Sequence, residues 1–182
     1  MRALEIERTV QIPEGIDVKI DGRIVTITGE KGTLTKDFSH ASLSIEKEGE
    51  IIKIRTEWPR KKEAAIVRTV SSHIQNMIMG VTKGFTYKLK IVFSHFPITV
   101  KVDGKRVLVE NFTGERSPRV AKILGDVQVS VQTEDVAVQG INLGDVSQTE
   151  ANIEQATKVK IKDPRVFLDG IYVYERLEGI EA

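Results

Sequence analysis

The sequence predicts an α+β protein of two tandem duplicated domains, each a small, mostly antiparallel β-sheet packed against one main helix. Three observations carry that expectation. Residues 18–28, VKIDGRIVTIT, are echoed by residues 100–110, VKVDGKRVLVE. Strand-like runs with alternating apolar residues recur in both halves. A helical stretch follows those runs in each half, which is the pattern of a repeated supersecondary unit.

Each echo reads as a β-hairpin, because Asp-Gly between two alternating runs supplies residues that tolerate the positive φ of a tight turn. Gly29-Glu30-Lys31-Gly32 follows the first copy, and Gly114-Glu115-Arg116-Ser117 follows the second. Further strands are expected at IIKIRTE (51–57) and VQVSVQTE (127–134), both alternating and both ending in Thr-Glu. The first helix is predicted from Lys61 to Met79, with Ile66, Val70, Ile74, Met77 and Ile78 near helical spacing and Gly80 and Gly84 as stop signals. In the second copy Gly144-Asp145-Val146-Ser147 offers cap residues for a helix through about Ala156, with a less marked apolar stripe. A last β-like run follows each helix, FTYKLKIVF (85–93) and GIYVYERL (170–177). The domains are therefore expected at 1–93 and 94–182, joined at Ser94-His95-Phe96-Pro97 without a flexible linker.

Composition narrows the class of function. Cysteine is absent, which excludes disulfides, thiolate catalysis and cysteine zinc cages and favours an intracellular site. The start, MRALEIERTVQIP, lacks the apolar centre of a signal peptide, and no run approaches the roughly 20 apolar residues that span a bilayer. The expectation is a soluble, cytoplasmic protein. Aromatic residues make up only 5%, little material for a base-stacking platform. Net charge is +1, which alone argues against nucleic acid, because phosphate neutralisation dominates affinity.

The distribution of charge argues the other way. Residues 123–157 hold no Lys or Arg and six acids, whereas KVKIKDPR directly after them holds Lys158, Lys160, Lys162 and Arg165. Lys101, Lys105, Arg106, Arg116, Arg119 and Lys122 form a second basic group, against three acids in the same stretch. Residues 1–93 balance at +4 and residues 94–182 at −3, so duplication was followed by divergence of the surfaces. Segregated charge gives one basic face at near-zero total charge.

No constellation for catalysis stands out. His40, His73 and His95 are far apart and none has paired metal-ligand spacing. His73 reads as a surface or half-buried helix residue. Gly29–Gly32 is followed by a strand-like Thr-Leu-Thr rather than a helix start, so it does not read as a phosphate loop. No small-molecule substrate, cofactor or metal is indicated. Arg60-Lys61-Lys62 at the head of the first helix is an odd placement for cations, because the helix dipole disfavours them there. It reads either as a solvated helix start or as a phosphate contact. Alternation in KVKIKDPR would put Lys158, Lys160 and Lys162 on one strand face. That pattern fits RNA contact or a lysine-protected edge strand.

The segment Gln155–Arg176, QATKVKIKDPRVFLDGIYVYER, resembles the C-terminal signature of the family of large ribosomal subunit protein six in its archaeal and eukaryotic form. The matching residues are Gln155, Val159, Lys162, Arg165, Phe167, Asp169-Gly170, the Ile171-Tyr172-Val173 triplet and Arg176. The opening QIPEGIDVKIDGRIVTITGEKGTLTKDF is similar to the family's N-terminal half, and the family too consists of two α+β copies. A bacterial member would be expected to end in a Gly- and Lys-rich segment around a Pro-Tyr pair, so the resemblance is to the archaeal or eukaryotic type, and the chain's shortness and lack of a basic extension favour the archaeal side.

The resemblance implies a non-catalytic structural constituent of the large subunit. Such a protein binds large-subunit ribosomal RNA near the elongation-factor site and the stalk base, with neighbouring ribosomal proteins and translation factors among its candidate partners. It implies RNA contacts mostly in the second domain: Lys158, Lys160, Lys162 and Arg165 first, and the 101–122 bases second. Phe167 is expected in the core, Asp169-Gly170 in a turn aiming the last strand, and Tyr172 with a buried ring. The acid-rich stretch 123–157 is expected to face away from RNA. A protein-only interaction module is the alternative, since it also explains near-neutrality.

Overall fold

The computed structural model describes residues 5–160, 163 and 165–180, and the chain divides into two compact units, Met1–Lys83 and Gly84–Ala182. In the first unit β1 (Glu5–Gln11) is followed by β2 (Asp17–Asp21), β3 (Ile24–Gly29) and β4 (Gly32–Asp37), which form an antiparallel sheet in that order. A hairpin of β5 (Ser44–Glu48) and β6 (Ile51–Glu57) pairs with β1 to give a second sheet, β1-β6-β5. Helix α1 (Lys61–Thr82) packs on β1, β3, β4 and β6. Its buried stripe of Val67, Val70, Ile74 and Val81 meets Val25, Ile27, Ile52 and Ile54 from the strands.

The second unit contains β7 (Phe85–Val92), β8 (Thr99–Asp103), β9 (Arg106–Glu110), a 3-10 turn at Phe112–Gly114 and β10 (Arg119–Lys122). These are followed by β11 (Gln128–Gln132), β12 (Asp135–Gly140), α2 (Leu143–Ala156) and β13 (Gly170–Glu178). β8, β9 and β10 form one antiparallel sheet; the other has the order β11-β12-β7-β13. Leu89, Val107, Val136, Val138, Val146, Ile153 and Ile171 are buried in this unit. The duplicated α+β architecture is as the sequence predicts. Among the described residues, no helix is long and apolar enough to cross a membrane.

The two hairpins form as expected. Two-residue loops join Asp21 to Ile24 and Asp103 to Arg106, with Gly22 at φ 59° and Gly104 at φ 56°. The frame of the repeat differs from the expected one. The division falls at Lys83/Gly84, not at 93/94, so Phe85–Val92 begins the second unit instead of closing the first. β7 pairs with β12 just as β1 pairs with β6, and each pair precedes a helix. Each copy is therefore a lone strand, a three-stranded sheet, a hairpin and a helix, and β13 is an addition to the second. It follows that the counterpart of IIKIRTE (51–57) is β12, not the run containing β11.

The helices also refine the expectation. α1 continues through Gly80 to Thr82, because the roughly 1 kcal/mol cost of one helical glycine is small beside the packing of Ile78 and Val81. Gly84, at φ 77°, follows its last turn. In α2 the cap is Asn142, whose Oδ1 accepts from Gly144 N at 3.0 Å, rather than the residues 144–147.

Candidate nucleic-acid interface

The signature segment is a surface excursion tied down at both ends. After α2, Thr157 is buried; its Oγ1 donates to the Glu154 carbonyl (3.1 Å) and accepts from Ile171 N (3.0 Å). That pair clamps the helix end to the start of β13. At the far end Asp169, 1% exposed, is met by four groups. Its carboxylate accepts from Ser94 N (3.0 Å), Ser94 Oγ (2.9 Å) and His95 N (3.3 Å), and His95 Nδ1 lies 3.3 Å away. Phe167 is buried as expected and stacks on the His95 ring at 4.9 Å. Among the described residues between these anchors, Lys158, Lys160, Asp163 and Arg165 are exposed, as are Val166 at 80% and Leu168 at 55%.

Lys158 and Lys160 are exposed on this excursion, and neither side chain has a partner among the described residues. They do not sit on a strand: residues 158–160 have no ladder, because Thr157 has already joined the edge of the unit to Ile171. Lys162 lies outside the described residues. Arg165 is exposed, and its guanidinium makes a two-point contact with Asp163 (Nε–Oδ1 3.2 Å, Nη2–Oδ2 2.9 Å). The Asp163 carboxyl is held below its ordinary value, chiefly by those side-chain bonds.

The 101–122 group divides. Arg119 is engaged inside the unit. It makes a two-point contact with Glu115 (2.9 and 2.6 Å), donates to the Ala156 carbonyl (2.9 Å) and lies 4.3 Å above the Phe112 ring. Those bonds hold the Glu115 carboxyl below its ordinary value. Lys101 is paired with Glu110 at 2.7 Å, and Lys105 Nζ donates to the Gly125 carbonyl at 3.2 Å. Arg106, Arg116 and Lys122 are exposed and without partners among the described residues. Lys122 and Arg106 are direct cross-strand neighbours between β10 and β9, so both side chains stand on the outward face of that sheet.

Two grooves flank the signature segment. One, of about 660 Å³, is lined by Phe112, Arg119, Val120, Gln155, Lys158 and Lys160 among others. The second, of about 410 Å³, shares Gln155, Lys158 and Val159 and adds Phe167 and Tyr172. The structure thus brings Lys158 and Lys160 together with Arg119, which braces the groove wall. Arg106 and Lys122 form a separate pair.

Tyr172 is 42% exposed, not buried, because it stands on the uncovered face of β13. Asp169 is an anchor rather than a simple turn residue, and Gly170 already begins β13. Arg176 is exposed, with its guanidinium 3.9 Å from the buried Glu150 and 5.3 Å from the Tyr87 ring. Burial pushes the Glu150 carboxyl up, against the opposing pull of Arg176. Others of the acid-rich stretch are also engaged: Glu134 and Asp135 both pair with Lys90, at 3.5 and 3.4 Å. His73 is half-buried on α1, 3.3 Å from Lys36 Nζ. Thr157 and the Ser94–His95–Asp169 anchor had no signal in the sequence pattern, because each joins segments distant in the chain.

The model of the ribosomal protein L6 family matches the chain twice, at residues 12–84 and 96–170. The chain is similar to the large ribosomal subunit protein uL6 of Ignicoccus hospitalis, 51% identical over 180 residues, covering 96% of this chain and 97% of that protein. It is similar to uL6 of Methanosphaera stadtmanae, 51% identical over 177 residues, covering 97% and 96%. The likeness to uL6 of Desulfurococcus amylolyticus is 47% over 182 residues, covering 98% and 99%. Both copies of the repeat and nearly the full length are included in these matches, and the chain belongs to the ribosomal protein L6 family.

Proposed function

We propose that the chain is a non-catalytic, cytoplasmic constituent of the large ribosomal subunit that docks on large-subunit ribosomal RNA through its second unit. The likeness to large-subunit proteins over nearly the whole chain supports the first part of this reading. The observation that carries the second is the tethered excursion after α2, which holds Lys158 and Lys160 exposed and unpaired beside a groove. Lys162 and Arg165 continue the same run, and Arg165 can exchange Asp163 for a phosphate in the same two-point geometry. Arg106, Arg116 and Lys122 form the second contact group, with Lys101 and Lys105 beside them, while Arg119 fixes the groove wall.

Docking is at the elongation-factor region near the stalk base, with neighbouring large-subunit proteins and translation factors as the partners there. Phosphate contacts of this kind position the protein, and RNA shape supplies the specificity. The test is binding of the full chain to large-subunit ribosomal RNA fragments across a salt series, beside a variant with Lys158, Lys160, Lys162 and Arg165 changed to Gln. Affinity should fall with salt, and the variant's log–log slope should be shallower by about 3. A folded chain with no specific RNA binding would favour a protein-only module instead.

A further inference from the structure

The junction between β6 and α1 carries a second cluster that the proposed docking face does not use. Trp58 is 66% exposed, the most exposed aromatic side chain among the described residues. It is also the only tryptophan in the chain. Its backbone has φ 49°, a region bulky residues enter only when the surroundings hold them there. Pro59, directly after it, is buried and fixes the chain, so the indole is left outside while its neighbour anchors the core.

Arg60, Lys61 and Lys62 follow, all exposed, and Arg68 lies two turns along the same face of α1 as Lys61. None of these four side chains has a partner among the described residues. The nearest acid on the helix, Glu63, is occupied by the backbone: its Oε2 accepts from Arg60 N at 2.6 Å. Glu57 is the one other acid adjoining the cluster in sequence. The four cations outnumber the two acids that adjoin them in sequence, Glu57 and Glu63, and the exposed indole stands beside them.

We propose that Trp58 with Arg60, Lys61, Lys62 and Arg68 forms a second RNA-docking patch, on the first unit. An unpaired base stacks on the indole and its flanking phosphates lie among the four cations. The inference rests on the RNA-docking reading above and extends it to the other unit. Charge complementarity selects the occupant: four unpaired cations call for a polyanion, and an exposed indole adds a stacking surface that every base can use. A base inside a duplex offers no free face, so the ligand is a loop, bulge or single-stranded segment.

Trp58 supplies its own probe. The full chain is titrated with a labelled large-subunit ribosomal RNA fragment, following RNA anisotropy and Trp58 emission together. Emission should be quenched in step with the anisotropy. Trp58→Ala should weaken binding on the order of tenfold, with Trp58→Phe restoring much of it. Changing Arg60, Lys61, Lys62 and Arg68 to Gln should lower the salt slope by about 3 and reduce the quench. A full anisotropy change with unaltered emission, and wild-type affinity in Trp58→Ala, overturns the patch and leaves docking through the second unit standing. Absence of any anisotropy change removes both. Quenching by ribosomal proteins but not by RNA overturns the assignment and makes the patch a protein contact.

Discussion

Asp169 shows how much one side chain holds in place. Burial by itself raises its carboxyl, but the hydrogen bonds from Ser94 and His95 outweigh that and keep it below the ordinary carboxylate value. Its folded value is thus depressed relative to the unfolded chain. The stability it contributes is present above about pH 4, the unfolded aspartate range, and is lost as pH falls through the folded value. Asp169→Asn should therefore flatten the acid side of the second unit's stability profile, as followed by thermal unfolding at a series of acidic pH values. Thr157→Val keeps the shape but leaves the buried Ile171 N–H without its acceptor. The expected loss is about 1–3 kcal/mol, measured by denaturant unfolding, with the 158–169 excursion loosening at the same time.

At the scale of elements, the features legible in the sequence were those set by local demands. The Asp-Gly hairpins needed only a tight turn between alternating runs, and α1 needed only its apolar spacing. β1 was missed because it is a charged edge strand with a single fully buried residue, Val10, and so shows no alternation. Missing β1 shifted the frame: β7 then had no counterpart except as a closing strand. The lysines after α2 were legible as exposed cations. The engagement of Arg119 was not, because Phe112 and the Ala156 carbonyl reach it only in the folded unit. Trp58 carried no signal either, since nothing local says that an indole will stay outside. The frame has a direct test in Leu89→Ala, at a buried site on β7. It should cost about 2–5 kcal/mol and lower hydrogen-exchange protection across the second unit, while α1 and β6 keep theirs. Loss of protection in β6 and α1 instead would restore the division at 93/94.

For the whole molecule, near-neutral charge conceals a division of labour. The first half balances at +4 and the second at −3, yet each carries cations whose side chains have no partner among the described residues. If both units touch RNA, their electrostatic contributions should add, because the two sets of side chains share no partner. The chain altered at Lys158, Lys160, Lys162 and Arg165 together with Arg60, Lys61, Lys62 and Arg68 should lose the sum of the two single-set decrements in salt slope. A combined loss no greater than the first alone would confine binding to the second unit.

The pairing of β7 with both β12 and β13 sets an order of events during synthesis. Every strand and the helix of the first unit have been made once the chain reaches Lys83, so that unit can close early. β7 is made next, but its neighbour β13 is not made until α2 and the signature segment have been translated. Until then one edge of β7 stands open, a template for wrong partners as much as for the right one. That last pairing is also distant in sequence, a non-local contact whose loop-closure entropy must be met before it stabilises the sheet. The Thr157–Ile171 bond then completes the unit by joining that late strand to the helix. Until β13 pairs, the second unit's sheet lacks its last strand and the end of α2 lacks its tie to Ile171.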